Sequence, residues 1–205
     1  MIILLGNGLI LHGHGKEVNM WKYEKKLQFP VNIKRKNVKM AKYILTQNGG
    51  PNGELGAALR YLNQRYTLPD DYGKAELTDI ATEEMAHMEI ISAMVYQLLD
   101  GATPEELEKE GLGSQYVEHK LSIFPSNAFG DAFTANYFAV TGDYLADISE
   151  DMAAEQKARA TYESLMDMTN DPDILAPLSF LRQREIVHFQ RFKKLYEMYL
   201  QLKKE

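Results

Sequence analysis

The sequence predicts an all-α protein: a bundle of four helices with one long crossover and short accessory helices. Three observations carry this. Apolar residues recur at steps of three and four over long stretches. Alternating strand patterns are scarce, and Gly and Pro gather into short turns and one irregular stretch. With 205 residues, of which 45% are hydrophobic, the chain can bury one sizeable core, so residues 20–205 are expected to form one domain.

The first 19 residues stand apart. Met1–Leu11 is apolar but lacks a cationic start and a small-residue cleavage site, and Gly6 and Gly8 interrupt it, so it fails as a signal peptide. It is also too short to span a bilayer. Lys16-Glu17-Val18, just ahead of Met20, can be encoded by a purine-rich ribosome-binding sequence. Met20 is therefore the expected start, and residues 1–19 a translated leader or disordered extension. His12 and His14, flanked by glycine, lack a preorganised partner for a metal.

Five helices follow. The first is expected from Val38 to Gln47 and stops at Asn48-Gly49-Gly50-Pro51. Pro51 suits a first helical turn, so the second is placed at Pro51–Tyr66. A turn at Leu68–Asp71 precedes the third, Ala75–Leu99. Six Gly or Pro residues break positions 100–140 into short helical pieces and loop. The fourth long helix is placed at Asp143–Met168, and the fifth runs from Ile174 to the C-terminus. Two helix pairs with short turns, joined by a long crossover, make the ferritin-like kind of four-helix bundle.

Charge and composition narrow the function. A net charge of -6 disfavours nucleic-acid or anionic-membrane partners, which need clustered cations. Lys34-Arg35-Lys36 reads as a solvated turn, and His119 as surface or loop. No cysteine is present, so disulfides and thiolate metal sites are excluded, leaving His and carboxylates as the strong ligands.

Those ligand types sit where apolar residues belong. The third helix carries the stripe Ile80, Glu84, His87, Ile91, Met94, Leu98, and the fifth carries Leu181, Glu185, His188, Phe192, Leu195, Tyr199. Each Glu-x-x-His step aims a carboxylate and an imidazole from one helix face. Glu54 precedes Glu84 by 30 residues, and Glu155 precedes Glu185 by 30; the two sets are offset by 101. One Glu from each of two helices, plus Glu-x-x-His from each of the other two, is the donor pattern of carboxylate-bridged dimetal bundles. Four buried carboxylates need cations, since each isolated charge costs several kcal/mol even after relaxation. Oxygen-rich ligation with two imidazoles favours manganese or iron over zinc or copper. Glu83 falls on a stripe with Glu76 and Asp79, a wet face, so Glu83 and Glu89 read as bystanders.

Several stretches around these positions carry a family resemblance: GGPNGELGAALRYLNQRY, LTDIATEEMAHMEI, TGDYLADISEDMAAEQKARATYE and FLRQREIVHFQRF, together with MWKYEKKLQFPV near the start. The chain resembles the manganese catalases, most closely their short, spore-coat-associated branch. The resemblance implies two manganese ions, with Glu54, Glu84 and His87 serving one half, Glu155 and His188 the other, and Glu84 bridging. It makes Glu185 an outer-sphere general base and acid rather than a ligand, and Tyr61 a second layer that orients a ligand or the solvent network. The implied reaction is disproportionation of hydrogen peroxide to water and dioxygen. The implied setting is a cytoplasmic homo-oligomer, hexamer or smaller, incorporated into the spore coat with other coat proteins. Two other functions fit the same donors. One is a di-iron oxidase of ferritin or rubrerythrin type, with Glu185 as a sixth ligand; the other is a mainly structural coat protein retaining its metal site.

Overall fold

A computed structural model describes residues 26–203, and the expectations for Met20, the leader, His12 and His14 lie outside them. The helices in chain order are α1 (Val38–Ile44), α2 (Thr46–Gly49), α3 (Glu54–Gln64), α4 (Asp71–Leu99), α5 (Pro104–Lys109), α6 (Gly113–His119), α7 (Tyr144–Asp167) and α8 (Pro172–Leu202). Among the described residues there is no strand, only an isolated bridge between Ser126 and Ala132. No helix among them is long and apolar enough to cross a membrane.

The bundle is built from α3, α4, α7 and α8. Short turns pair α3 with α4 and α7 with α8, and residues 100–143 form the long crossover with α5 and α6 within it. This is the predicted all-α, ferritin-like arrangement.

Helix ends depart from the periodicity by a turn. α3 begins at Glu54 rather than Pro51, because Gly53 donates to the Gly50 carbonyl at 3.0 Å and closes a turn just before it. α4 begins at Asp71, one turn earlier than expected: Asp70 caps it by accepting from Gly73 N at 2.8 Å. α8 starts at Pro172, whose missing N–H would be unpaired there in any case, with Asp171 as cap. Asp143 caps α7, accepting from Leu145 N and Ala146 N.

Packing divides the core into two apolar clusters. One joins Ile90, Ile91, Met94 and Leu98 of α4 to Leu178 and Leu181 of α8, with α1 covering its outer side. The other joins Leu77 and Ile80 of α4 to Phe192, Leu195 and Tyr199 of α8. The C-terminal half of α4 thus meets the N-terminal half of α8 and the reverse, so these two helices run antiparallel. The polar layer falls between the clusters. At the far end of the second cluster Gly73 lets Tyr199 approach, since a Cβ there would lie 1.9 Å from the Tyr199 hydroxyl, which donates to Asp70 at 2.8 Å.

The crossover is tied to α3. Arg60 donates to the Tyr137 carbonyl at 3.0 Å and Gln64 to that of Ala139 at 3.1 Å. Lys34, Arg35 and Lys36 are not merely solvated: they pair with Asp173, Asp171 and Glu106 at 4.0, 2.9 and 2.6 Å. His119 ends α6 and stacks on Phe124 at 4.0 Å between centroids.

Candidate metal centre

The two Glu-x-x-His steps face each other across the bundle axis. Glu84, His87, Glu185 and His188 each offer a ligand atom, and these atoms lie within 4.8 Å of one another. Glu84, His87 and His188 are fully buried, and Glu54, Glu155 and Glu185 nearly so. The five ligands expected from sequence and the expected acid Glu185 are thus all buried.

Glu84 is central. One carboxylate oxygen lies 2.8 Å from His87 Nδ1, the other 2.7 Å from His188 Nδ1. Glu54 stands on the His87 side, 3.7 Å from its Nδ1, and Glu155 on the His188 side at 3.6 Å. Glu185 Oε1 is 3.8 Å from His87 Nδ1. Both imidazoles turn Nδ1 inward, with their rings nearly parallel at 5.5 Å. Glu84 Oε1, Glu155 Oε2, Glu185 Oε1 and His188 Nδ1 are buried without a hydrogen-bond partner. Buried polar atoms are rarely orphaned. Lone pairs converging on common points, close but misaligned for mutual hydrogen bonds, are the arrangement cations require, so the donor set suits a dinuclear metal site.

The electrostatics agree. Burial, and then the negative charge of Glu84, push the Glu54 carboxyl up to about 8. Burial raises Glu185 well above the carboxylate range, aided by Glu54, Glu84 and Glu155. Burial opposes ionisation of Glu84 too, but His188 and His87 outweigh it and hold its pKa well below the usual range. For His87, desolvation is outweighed by Glu84 and Glu54, which lift it to about 9. Without metal, protons take the place of cations.

This has a measurable consequence in protein stripped of metal. Glu54 and His87 both have raised values in the fold, so their contribution is full below their ordinary pKa values and is lost as pH rises through about 8 and about 9. The depressed Glu84 acts oppositely and is lost in acid. Thermal unfolding of the stripped protein should therefore show its highest midpoint in mildly acidic buffer and a fall of several degrees towards alkaline pH. Adding manganese should abolish that fall, and an alkaline midpoint that stays level without metal would contradict the assignment.

Tyrosines cross-link the upstream acids. Tyr61, on the helix of Glu54, donates to Glu155; Tyr162, on the helix of Glu155, donates to Glu54. Burial, and then the partner carboxylate, raise both phenols well above their ordinary value, keeping them as donors. Sequence reasoning singled out Tyr61 and passed over Tyr162, although the same offset of 101 relates the two.

Glu83 corrects the sequence reading. It is half-buried and lies 2.8 Å from both His188 Nε2 and Arg184 Nε. Burial opposes its ionisation, but His188 and Arg184 outweigh this and hold it below the usual range. Arg191 of α8 also pairs with Glu76 and Asp79 of the same α4 stripe at 2.8 and 2.7 Å; Asp79 stays exposed as helical phase implies, whereas Glu83 is covered.

A narrow recess between α3 and α7, lined by Gly53, Ala57, Arg60, Ala154 and Ala158, reaches Glu54, Glu155 and Glu185. It has room for about one water-sized molecule. A roomier recess between α1, α4 and the crossover is lined by Leu45, Leu99 and Leu107, among others, and holds no carboxylate or imidazole.

The chain is 55% identical to Protein CotJC of Bacillus subtilis over 179 residues, 87% of this chain and 94% of that protein. It is 37% identical to a protein of Clostridium acetobutylicum named "Probable manganese catalase", over 85% of this chain and 79% of that one. The crystal structure of KatB, a manganese catalase from Anabaena, superposes with a TM-score of 0.79 at 31% identity, covering 88% of this chain and 81% of that chain. Residues 20–201 match the model of the manganese-containing catalase family, and with the buried Glu/His cluster in place the chain belongs to that family.

Proposed function

We propose that the protein is a dimanganese catalase, converting two molecules of hydrogen peroxide to two of water and one of dioxygen. The observation that carries this reading is the Glu84 carboxylate between two inward Nδ1 atoms, with a further buried acid, Glu185, beside them. Glu54, Glu84 and His87 would hold one manganese ion and Glu155 and His188 the other, with Glu84 bridging. When bound, the pair supplies two electrons to one peroxide and recovers two from the next.

The remaining work is done by the chain. Reduction of peroxide to two waters consumes two protons, and oxidation of the second peroxide returns two. A carboxyl that moves protons must be buried, near the metals and off them, because coordination would quench its basicity. Glu185 is the acid assigned to this work: it is buried beside the donors, its Oε1 has no hydrogen-bond partner, and burial and the neighbouring carboxylates favour its protonated form. Tyr61 and Tyr162 fix Glu155 and Glu54, so these acids keep their aim as charge shifts. The apolar clusters on either side exclude bulk water, and the recess between α3 and α7 leads to Glu54, Glu155 and Glu185.

A second reading is favoured by one distance. Glu185 offers its ligand atom within the same 4.8 Å cluster as Glu84 and the imidazoles, as a sixth ligand of a di-iron oxidase would. Protein purified after growth with both metals available should contain paired manganese and release dioxygen from peroxide, measured with an oxygen electrode. Iron occupancy without dioxygen would defeat the catalase reading. The resemblance to the spore-coat-associated branch supports incorporation into the spore coat, which fractionation of spores with an antibody would test.

A further inference from the structure

The centre obeys one translation. Glu54, Tyr61, Glu84 and His87 become Glu155, Tyr162, Glu185 and His188 on adding 101. The residues immediately before the two Glu-x-x-His steps break it: position 83 is glutamate, and its counterpart, position 184, is arginine.

The structure joins these two. Arg184 Nη2 donates to Glu83 Oε2 at 3.0 Å, while its Nε lies 2.8 Å from Oε1. Glu83 Oε2 is 2.8 Å from His188 Nε2, and Gln28 donates to Oε1 at 2.5 Å. On the other half the equivalent contact cannot form, because a guanidinium has no acceptor. His87 Nε2 is buried without a hydrogen-bond partner, and Glu83 stands 3.9 Å away, beyond hydrogen-bond reach.

A carboxylate behind an imidazole keeps the proton on the outer nitrogen. The inner nitrogen then presents its lone pair to a metal, with its basicity raised and its ring orientation fixed. His188 has this support and His87 lacks it. We propose that Glu83, anchored by Arg184, is a positioning residue that commits His188 to metal donation through Nδ1. The two ion positions are thereby unequal, and the His188 half binds its ion first and more tightly. The inference rests on the reading of the centre as a dimetal site. It assigns a role to a pair of residues at which the two halves differ in charge, one of which touches His188.

Stepwise titration of the full, metal-stripped chain with manganese(II) tests it, followed by calorimetry and by electron paramagnetic resonance, which separates single ions from coupled pairs. The wild type should fill in two resolved steps with a populated one-ion form. E83Q, which keeps shape but removes the charge, should weaken the tighter step by about 10–100-fold, the usual effect of losing such a partner, and leave the weaker step unmoved. By the same translation, the swap E83R/R184E should place the carboxylate behind His87 and restore two unequal steps. Two steps unchanged in E83Q, or a swap that behaves like E83Q, would overturn the proposal. Circular dichroism checks the fold; should E83Q unfold, R184Q serves instead and should weaken the tight step by less. Failure of the wild type to bind a pair of ions would sink the dimetal reading itself, whereas paired binding indifferent to Glu83 would sink only this inference.

Discussion

Replacing Glu185 with glutamine is expected to leave the metal content intact and to lower dioxygen release by about 10²–10⁴-fold, the range that positioned acid–base groups contribute. Glutamine matches the side chain in volume, and the native carboxyl already favours its neutral form in the metal-stripped fold, so packing should hold. What disappears is a proton that can leave and return. Metal analysis and an oxygen electrode on the same preparation separate the outcomes. Turnover unchanged in E185Q would remove Glu185 from proton transfer. Loss of metal would make it a ligand and turn the assignment towards the six-ligand, di-iron type.

The second large effect belongs to Glu84. E84Q should lose both ions on dialysis, with affinity down by more than about 100-fold, because a ligand replaced outright should matter more than the partner behind one. The reason lies in the two short contacts, 2.8 Å to His87 and 2.7 Å to His188, which engage both oxygens of one carboxylate. An amide offers only one oxygen and sets its NH2 against the other imidazole. The stripped variant should also unfold earlier than stripped wild type, since breaking a buried ion pair typically costs about 3–5 kcal/mol. Retention of paired metal by E84Q would refute the bridging position.

The contrast between these two glutamates shows what was legible in the sequence. EEMAHM and REIVHF look alike, and both place Glu and His on an apolar stripe at the same phase. Helical phase, a local property, was enough to place Glu84, His87, Glu185 and His188 in one layer between two apolar clusters, and the repeated spacing of 30 residues pointed to Glu54 and Glu155. Tyr162 was equally accessible through the offset of 101, but a buried tyrosine in a core stripe carries no signal until its hydroxyl is seen on Glu54. Glu83 was misread for a different reason: phase tells which way a residue faces from its own helix and nothing about what faces it, and here α8 brings Arg184 and His188.

Sequence alone thus determined the all-α class, the four long helices, the candidate donor residues and the family resemblance, because each depends on residue type and spacing along one helix or on a repeated spacing. Only the tertiary structure decided which acid meets which imidazole, that each tyrosine crosses to the other half's glutamate, and that Glu83 stands behind His188 and not His87. The contacts that cross between the halves, Tyr61–Glu155, Glu84–His188, Glu83–His188 and Tyr162–Glu54, join residues 94 to 108 positions apart in the chain, and they are set by the antiparallel docking of α4 on α8 and the packing of α3 against α7.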